Sequence, residues 1–129
     1  MNIRKPADYS VLFSELDKLI AAQLPQMELY REIGRVVSSR AEKGAAVAAS
    51  EYLQAAYPAA DGFSPRNVRR MRDFYRMYGD APELLAAAMR LNWTQNVVIM
   101  EAGLTMDERC WYIRKAAESG LSKKELLRM

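Results

Sequence analysis

The sequence predicts an all-α, compact multi-helix domain that contains a helix-turn-helix-like pair. Half of the 129 residues are apolar, and a chain of this length can bury them in a single core. The apolar residues recur at spacings of three and four, and no segment alternates as a strand does. We therefore expect one domain over residues 1–129, with residues 1–25 either in its body or forming a separate N-terminal helical arm.

Three helices are predicted in the N-terminal half of the chain. They cover residues 8–24, 26–42 and 45–57. The first has an apolar face and is interrupted by Pro25, which cannot continue the helical hydrogen bonds. That face consists of Leu12, Leu16, Leu19 and Ile20. The third is largely apolar, and its polar face consists only of Ser50, Glu51 and Gln54.

The second predicted helix differs because it carries two apolar stripes. One consists of Met27, Tyr30, Ile33 and Val37, and the other of Leu29 and Val36. A helix at the edge of a small monomer needs only one such stripe. The surplus stripe must be covered by the first helix, folding back at Pro25, or by a second subunit. These six residues are therefore the predicted interface of a homodimer.

The fourth predicted helix, residues 64–78, carries the strongest functional signal. Ser64 is placed to cap it and Pro65 to occupy its first position, where proline costs no hydrogen bond. At 3.6 residues per turn, one face is apolar and the other is rich in arginine. The apolar face consists of Val68, Met71, Phe74, Tyr75 and Tyr78. Arg66, Arg69 and Arg76 lie opposite, with Arg70 and Arg72 at the flanks.

The net charge of +3 is concentrated in this segment. Residues 61–79 contain five arginines against Asp61 and Asp73, whereas the segments before and after are each balanced. Guanidinium groups bind phosphate oxygens and pair with guanine edges, and an asparagine can read adenine or cap a turn. The predicted nucleic-acid-binding residues are Arg66, Asn67, Arg69, Arg70, Arg72 and Arg76. The alternative is a solvated face whose arginines form surface ion pairs.

The C-terminal half is predicted to contain four further helices. Asp80 is the expected cap of a helix over 82–91, and Thr94 the expected start of the next. Capping boxes at 105–108 and 122–125 begin the last two. The apolar stripe of the helix after Thr105 is predicted to consist of Met106, Cys110, Ile113 and Ala117. The aromatic side chains interpreted as core residues rather than base-stacking groups are Trp93, Trp111 and Tyr112.

Catalysis by this chain is not expected. The sequence has no histidine, its six glycines are scattered, and Cys110, its one cysteine, lies beside no candidate base. Histidine-based nucleophile pairs and glycine-rich phosphate loops are thereby excluded. We predict no enzyme activity, no catalytic residue, no metal site and no cofactor. With no membrane-length apolar stretch and no signal peptide, we expect a cytoplasmic protein with no membrane partner.

Several segments together resemble the N-terminal helical domain of the bacterial YhcG-type family, in family order from about residue 10 onward. They are Leu29–Arg35, Phe63–Val68 with Met71–Tyr75, Leu91–Thr94, and a last group of Arg109, Trp111–Ile113, Ala116 or Ala117, Ser122 and Glu125–Leu126. The most specific is the Ser-x-Arg-Asn-x-x-x-Met-Arg-x-Phe-Tyr spacing that begins at Ser64. Leu121 departs from the family, which usually has tryptophan before Ser122.

Full-length members of that family usually continue into a C-terminal PD-(D/E)XK nuclease-like domain, which these 129 residues do not contain. The resemblance therefore implies a winged-helix or helix-turn-helix-like DNA-binding module without cleavage activity of its own. The predicted pair is the helices 45–57 and 64–78, although the segment between them is longer than the usual three or four residues.

Two functions stay open from the sequence. The first is a DNA-binding or targeting module that presents the helix 64–78 to double-stranded DNA. The second is a helical protein-interaction module: a dimerisation domain, adaptor or inhibitor in a mobile-element or defence system. Its interface would be the helix 26–42, and its arginine face would bind an acidic protein surface. The partner would then be a nuclease domain, another protein or a second copy of the chain.

Overall fold

The computed structural model describes residues 8–128, and the regular elements in that range are all helices. They are α1 (Ser10–Ala21), α2 (Gln26–Ser38), α3 (Ala45–Ala56), α4 (Pro65–Tyr78), α5 (Pro82–Met89), α6 (Trp93–Glu101), α7 (Met106–Ser119) and α8 (Lys123–Leu127). Each contributes at least one buried apolar side chain to one continuous core, from Leu12 on α1 to Leu126 on α8. The all-α prediction is confirmed.

The packing of α2 against α4 forms the centre of the core. It is the most extensive contact between any two helices, and Ile33 of α2 is fully buried in the same core as Met71 and Phe74 of α4. Gly34 allows the two backbones to approach closely. A Cβ atom at this position would lie 2.1 Å from the carbonyl oxygen of Met71, so any larger residue would push the helices apart.

The first helix folds back onto α2 and α3. Leu12 and Leu16 are buried there, and the Asp17 carboxylate accepts hydrogen bonds from two tyrosines near the end of α3. The Tyr57 hydroxyl donates to it at 2.6 Å and the Tyr52 hydroxyl at 2.7 Å. These two bonds hold the pKa of the Asp17 carboxyl below its usual value of 3.8, and the bond from Tyr57 has the larger effect.

This packing corrects the predicted subunit interface on α2. Four of its six residues lie inside the subunit, where a second subunit cannot reach them, because α1, α3 and α4 all pack on α2. The four are Tyr30, Ile33, Val36 and Val37, and Ile33 is 0% exposed. Met27 and Leu29 are half-buried beside the core. Homodimerisation itself stays a prediction, and of the six residues only Met27 and Leu29 remain partly accessible to a second subunit.

One predicted helix start and one predicted cap in the C-terminal half are also corrected. The α6 helix begins at Trp93, one residue before the predicted start at Thr94, and Asn92 caps it. The Asn92 side chain accepts from the Gln95 backbone N–H at 2.8 Å, and the Gln95 side chain accepts from the Asn92 N–H in return. Asp80 does not cap α5: the cap position is Ala81, which provides no side-chain hydrogen bond.

The last two helix starts agree with the sequence. Thr105 and Glu108 form the reciprocal capping box that begins α7. Ser122 caps α8 by accepting from the Glu125 N–H at 3.2 Å. The Glu125 carboxylate bonds the Ser122 hydroxyl instead of the backbone. Both caps satisfy amide groups that the first turn of a helix leaves free.

Several helices end earlier than the apolar pattern predicts. The α1 helix ends at Ala21 and not at 24, because Gln23 adopts a left-handed backbone with φ of 52°. The α2 helix ends at Ser38 and not at 42. The Ser39 hydroxyl there donates to the carbonyl oxygen of Val36 at 2.6 Å, which satisfies a terminal acceptor of the helix.

Candidate nucleic-acid interface

The start of α4 is fixed by polar contacts from the preceding segment and from α3. Ser64 caps the helix as predicted, accepting from the Asn67 N–H at 3.1 Å, and Pro65 occupies the first position. The carbonyl oxygen of Phe63 accepts from the Ser50 hydroxyl at 2.6 Å and from the Gln54 amide at 2.9 Å. Ser50 is therefore fully buried, which corrects its predicted place on a polar outer face.

Asn67 is engaged inside the domain. Its amide nitrogen donates to the carbonyl oxygen of Gly62 at 2.7 Å, and its amide oxygen accepts from the indole nitrogen of Trp93 at 2.8 Å. Trp93 is buried and packs edge-on against Tyr30 and Phe74. Its interpretation as a core residue is therefore confirmed. The side chain of Asn67 thus joins α4 to α6, and we remove it from the set of base-reading residues.

The five arginines of α4 fall into two groups. Arg66, Arg69 and Arg76 are exposed on the face opposite the core, where the helical period places them. No carboxylate of residues 8–128 forms an ion pair with any of the three. Arg70 and Arg72 are half-buried and paired, Arg70 with Glu101 at 2.5 Å and Arg72 with its neighbour Asp73 at 3.0 Å.

Glu101 is the residue near this face that the sequence did not connect to it. It is the last residue of α6, yet it pairs with Arg70 of α4, 31 residues away along the chain. The hydrogen bond from Arg70 lowers the pKa of the Glu101 carboxyl, and the charges of Arg70 and Arg66 add to the effect. Both partners of the Arg70 pair are therefore charged at neutral pH.

A cleft of about 560 Å³ lies beside the arginine face, between α4, α6 and α7. Its lining residues are Arg70, Asp73, Arg76, Met77, Met100, Glu101, Met106 and Arg109. Arg109 is the unexpected member, because it is only 8% exposed and occupies a buried position on α7. The buried stripe of α7 consists of Arg109, Ile113 and Ala116, so the predicted stripe is corrected by about one residue. Met106 is 44% exposed and Cys110 half-buried.

The aromatic side chains of α7 also differ from the prediction. Trp111 is 53% exposed, which corrects its interpretation as a core residue. Its ring packs edge-on against the half-buried Tyr112, with 4.9 Å between centroids. Two acidic and two basic residues, Asp107, Glu118, Arg114 and Lys115, lie in the same surface depression. The α7 helix thus presents the exposed Trp111 ring among charges of both signs.

Two searches of the described part of the chain concern other kinds of site. Among residues 8–128, no three cysteine, aspartate or glutamate side chains lie close enough together to hold a metal ion. Over the same range, no helix has the length and apolar character needed to cross a membrane.

Comparisons with known proteins give one match. The family model described as the DUF1016 N-terminal domain matches residues 16–129. No curated protein and no solved structure matches the chain.

Proposed function

Because the chain belongs to the DUF1016 N-terminal domain family, the N-terminal domain of the YhcG-type family, we propose that it is a DNA-binding or targeting module without catalytic activity of its own. One observation carries the proposal. Arg66, Arg69 and Arg76 are exposed and unpaired within residues 8–128, on a helix whose other face is fixed in the core. A rigid helix with three unmatched guanidinium groups suits a polyanion with regularly spaced charges.

The spacing of these arginines fits a duplex. At 1.5 Å per residue, Arg66 and Arg76 are separated by about 15 Å along α4. That length covers roughly four base-pair steps of 3.4 Å, so the three side chains can reach successive phosphates along one groove. Because the amide of Asn67 is occupied within the domain, we assign most of the affinity to phosphate contacts and little to base reading.

The helix-turn-helix part of the proposal concerns α3 and α4. The two helices pack against each other, and residues 57–64 connect them, which is a longer link than the usual three or four residues. The bonds from Ser50 and Gln54 to the Phe63 carbonyl fix this link to α3. In the proposed arrangement, α3 supports α4 and α4 faces the DNA.

The test is a salt-titrated binding assay with random duplex DNA. The variant Arg66→Ala/Arg69→Ala/Arg76→Ala is expected to fold normally, because all three side chains are exposed. Its plot of log affinity against log salt concentration should lose about 3 units of slope, since each phosphate contact contributes roughly 0.9.

The matched control removes the same charge elsewhere. Lys18, Lys43 and Lys115 are exposed cations on α1, before α3 and on α7. Their replacement by alanine should leave most of the slope in place. If both triple variants lost the same amount of slope, DNA binding would depend on net charge and not on the arginine face. An unchanged slope in the folded arginine variant would contradict the proposal.

A second candidate function is a helical protein-interaction module. It is favoured by Trp111, because an exposed tryptophan is typical of the anchor residues at protein interfaces. In that case the partner, a nuclease domain or another protein, binds α7. Trp111→Ala should then abolish capture of the partner and leave the DNA salt slope unchanged.

A further inference from the structure

The cleft between α4, α6 and α7 contains a buried cation without an anion. The Nε atom of Arg109 is buried and has no hydrogen-bond partner, and the hydrogen bond that its guanidinium group forms within residues 8–128 goes from one terminal nitrogen to the Met106 sulfur, at 3.3 Å. A thioether is a weak acceptor, and an arginine in a protein cannot lose its proton. No carboxylate of the described chain forms an ion pair with Arg109. A buried charge in this state calls for an anion.

The other charged groups around the cleft do not supply that anion. Glu101 is paired with Arg70, and Asp73 with Arg72, which leaves Arg76 and Arg109 unmatched. Tyr78 is buried next to the cleft, and its hydroxyl also lacks a partner. Burial raises the pKa of the Tyr78 hydroxyl, against a smaller opposite effect of the Arg109 charge, so tyrosine stays a neutral phenol there.

The remaining lining of the cleft is apolar. Met77, Met100 and Met106 provide flexible, polarisable side chains, which make favourable contacts with flat aromatic rings. The volume of about 560 Å³ lies within the usual range for small-molecule sites. The cleft therefore combines two unmatched guanidinium groups with a surface suited to a planar ring.

We propose that this cleft binds a nucleotide through its phosphate group, with Arg109 as the buried phosphate ligand. Arg76 completes the phosphate contact from the rim, and the methionines receive the base. The phosphomonoester can belong to a free nucleotide or to the 5′ end of a DNA strand. The site does not require the exposed face of α4 to bind duplex DNA, so it extends the proposed function without depending on it.

The test titrates the whole protein with deoxyadenosine monophosphate, deoxyadenosine and inorganic phosphate, and follows binding by calorimetry. Nitrogen-15 spectra of the arginine side chains report on Arg109 directly in the unaltered protein. The monophosphate should bind and shift the Arg109 Nε–H resonance, whereas the nucleoside should bind at least tenfold more weakly. An unshifted Arg109 resonance at saturation, or equal binding of nucleoside and monophosphate, would overturn the site. Phosphate binding as tightly as the nucleotide would overturn the role of the methionines.

Variants separate this site from the duplex-binding face. Arg109→Met should weaken binding of the monophosphate at least tenfold. Arg76→Ala should weaken it several-fold and is expected to fold normally, because Arg76 is exposed. The control Arg66→Ala/Arg69→Ala changes arginines outside the cleft and should bind the monophosphate as the unaltered protein does. Unchanged affinity in a folded Arg76→Ala variant would count against the assignment.

Comparison of 5′-phosphorylated with 5′-hydroxyl hexanucleotides distinguishes the two sources of the phosphate. If the unaltered protein binds the phosphorylated strand more tightly and the Arg109→Met variant does not, the site binds the 5′ ends of DNA strands. Binding of the monophosphate but of neither strand assigns it to a free nucleotide. Loss of duplex binding in the Arg66→Ala/Arg69→Ala control with the monophosphate still bound would show that the two sites are independent.

Discussion

At the scale of single residues, the polar side chains near the core act mainly as links between helices. Asp17 joins α1 to α3 through two tyrosines, and Asn67 joins α4 to α6 through Trp93. Each link uses half-buried polar groups, so losing one partner leaves the other with water as its only partial replacement. Such residues determine stability even when their chemical type suggests a functional role.

The Asp17 link predicts a dependence of stability on pH. Asp17→Asn should lower the free energy of unfolding at pH 7, because the charged carboxylate is the acceptor that Tyr57 and Tyr52 bond. The folded-state pKa of Asp17 lies below 3.8, so its contribution is present above pH 3.8 and is lost as the pH falls through that lower value. Urea unfolding of both proteins between pH 2 and 7 measures the difference in their free energies of unfolding. This difference should become smaller as the pH falls toward 2.

The control for this prediction is Asp80→Asn. It makes the same substitution at an exposed carboxylate that caps no helix, so it should leave the free energy of unfolding nearly unchanged. A difference between Asp17→Asn and the unaltered protein that persists undiminished at pH 2 would refute the link.

Substitution of Asn67 distinguishes a structural role of this side chain from a role in reading DNA bases. Asn67→Ala should lower the free energy of unfolding by about 1–3 kcal/mol, because it leaves the Trp93 indole N–H and the Gly62 carbonyl unpaired. The DNA affinity of the folded protein should change by less than about twofold. Chemical unfolding and the duplex assay measure the two quantities. A large loss of DNA affinity with an unchanged free energy of unfolding would show that Asn67 contacts the DNA.

At the scale of helices, the orientation of α4 depends on how closely it approaches α2. The approach is possible because Gly34 has no side chain to meet the Met71 carbonyl. The same packing rotates Arg66, Arg69 and Arg76 toward solvent and buries the opposite face of the helix. The proposed DNA-binding face is thus a consequence of a backbone contact on the other side of α4.

Gly34→Ala is therefore expected to destabilise the protein by about 1–3 kcal/mol through overpacking, although alanine favours helix formation by about 1 kcal/mol over glycine. Gly44→Ala is the control, because a Cβ atom there would meet only the Tyr9 hydroxyl, at 3.2 Å. Thermal and urea unfolding compare the two variants. A Gly34→Ala protein as stable as the unaltered one would show that α2 and α4 can separate without cost.

At the scale of the whole molecule, residues 8–128 present an exposed arginine face, and no three of their cysteine, aspartate or glutamate side chains lie close enough together to hold a metal ion. The carboxylates nearest the arginine face, Asp73 and Glu101, are paired with Arg72 and Arg70. Catalysis of phosphodiester cleavage usually requires carboxylates or histidines that hold a divalent metal ion. The proposed role is accordingly to bind DNA or to position another activity on it.

Purified protein is therefore expected not to cleave plasmid DNA with Mg²⁺, Mn²⁺, Ca²⁺ or Zn²⁺. Gel analysis of supercoiled plasmid over long incubations measures this. The Arg66→Ala/Arg69→Ala/Arg76→Ala protein, prepared identically, reports any contaminating nuclease. Cleavage that disappears on a point substitution elsewhere in this chain, with folding retained, would contradict the prediction that the chain has no catalytic activity.

The helices, several of their caps and the arginine face of α4 could be predicted from the sequence alone. These features depend on contacts within one or two turns, as in the Ser64 cap, the Thr105 capping box and the helical period of Arg66, Arg69 and Arg76. Local signals of this kind need no knowledge of the rest of the fold. Boundaries were less accurate where a single backbone conformation ended the helix, as at Gln23.

Which polar groups are free and which are occupied depends on how the helices pack, and the sequence did not predict it. Asn67 bonds Trp93 across 26 residues of chain, and Arg70 pairs with Glu101 across 31. Arginine is usually exposed, and Arg109 is buried, so the helical pattern of α7 did not predict its position beside the cleft. Pairing and burial arise when distant helices pack together, and a periodic pattern along one helix does not encode which side chains the neighbouring helices will bring.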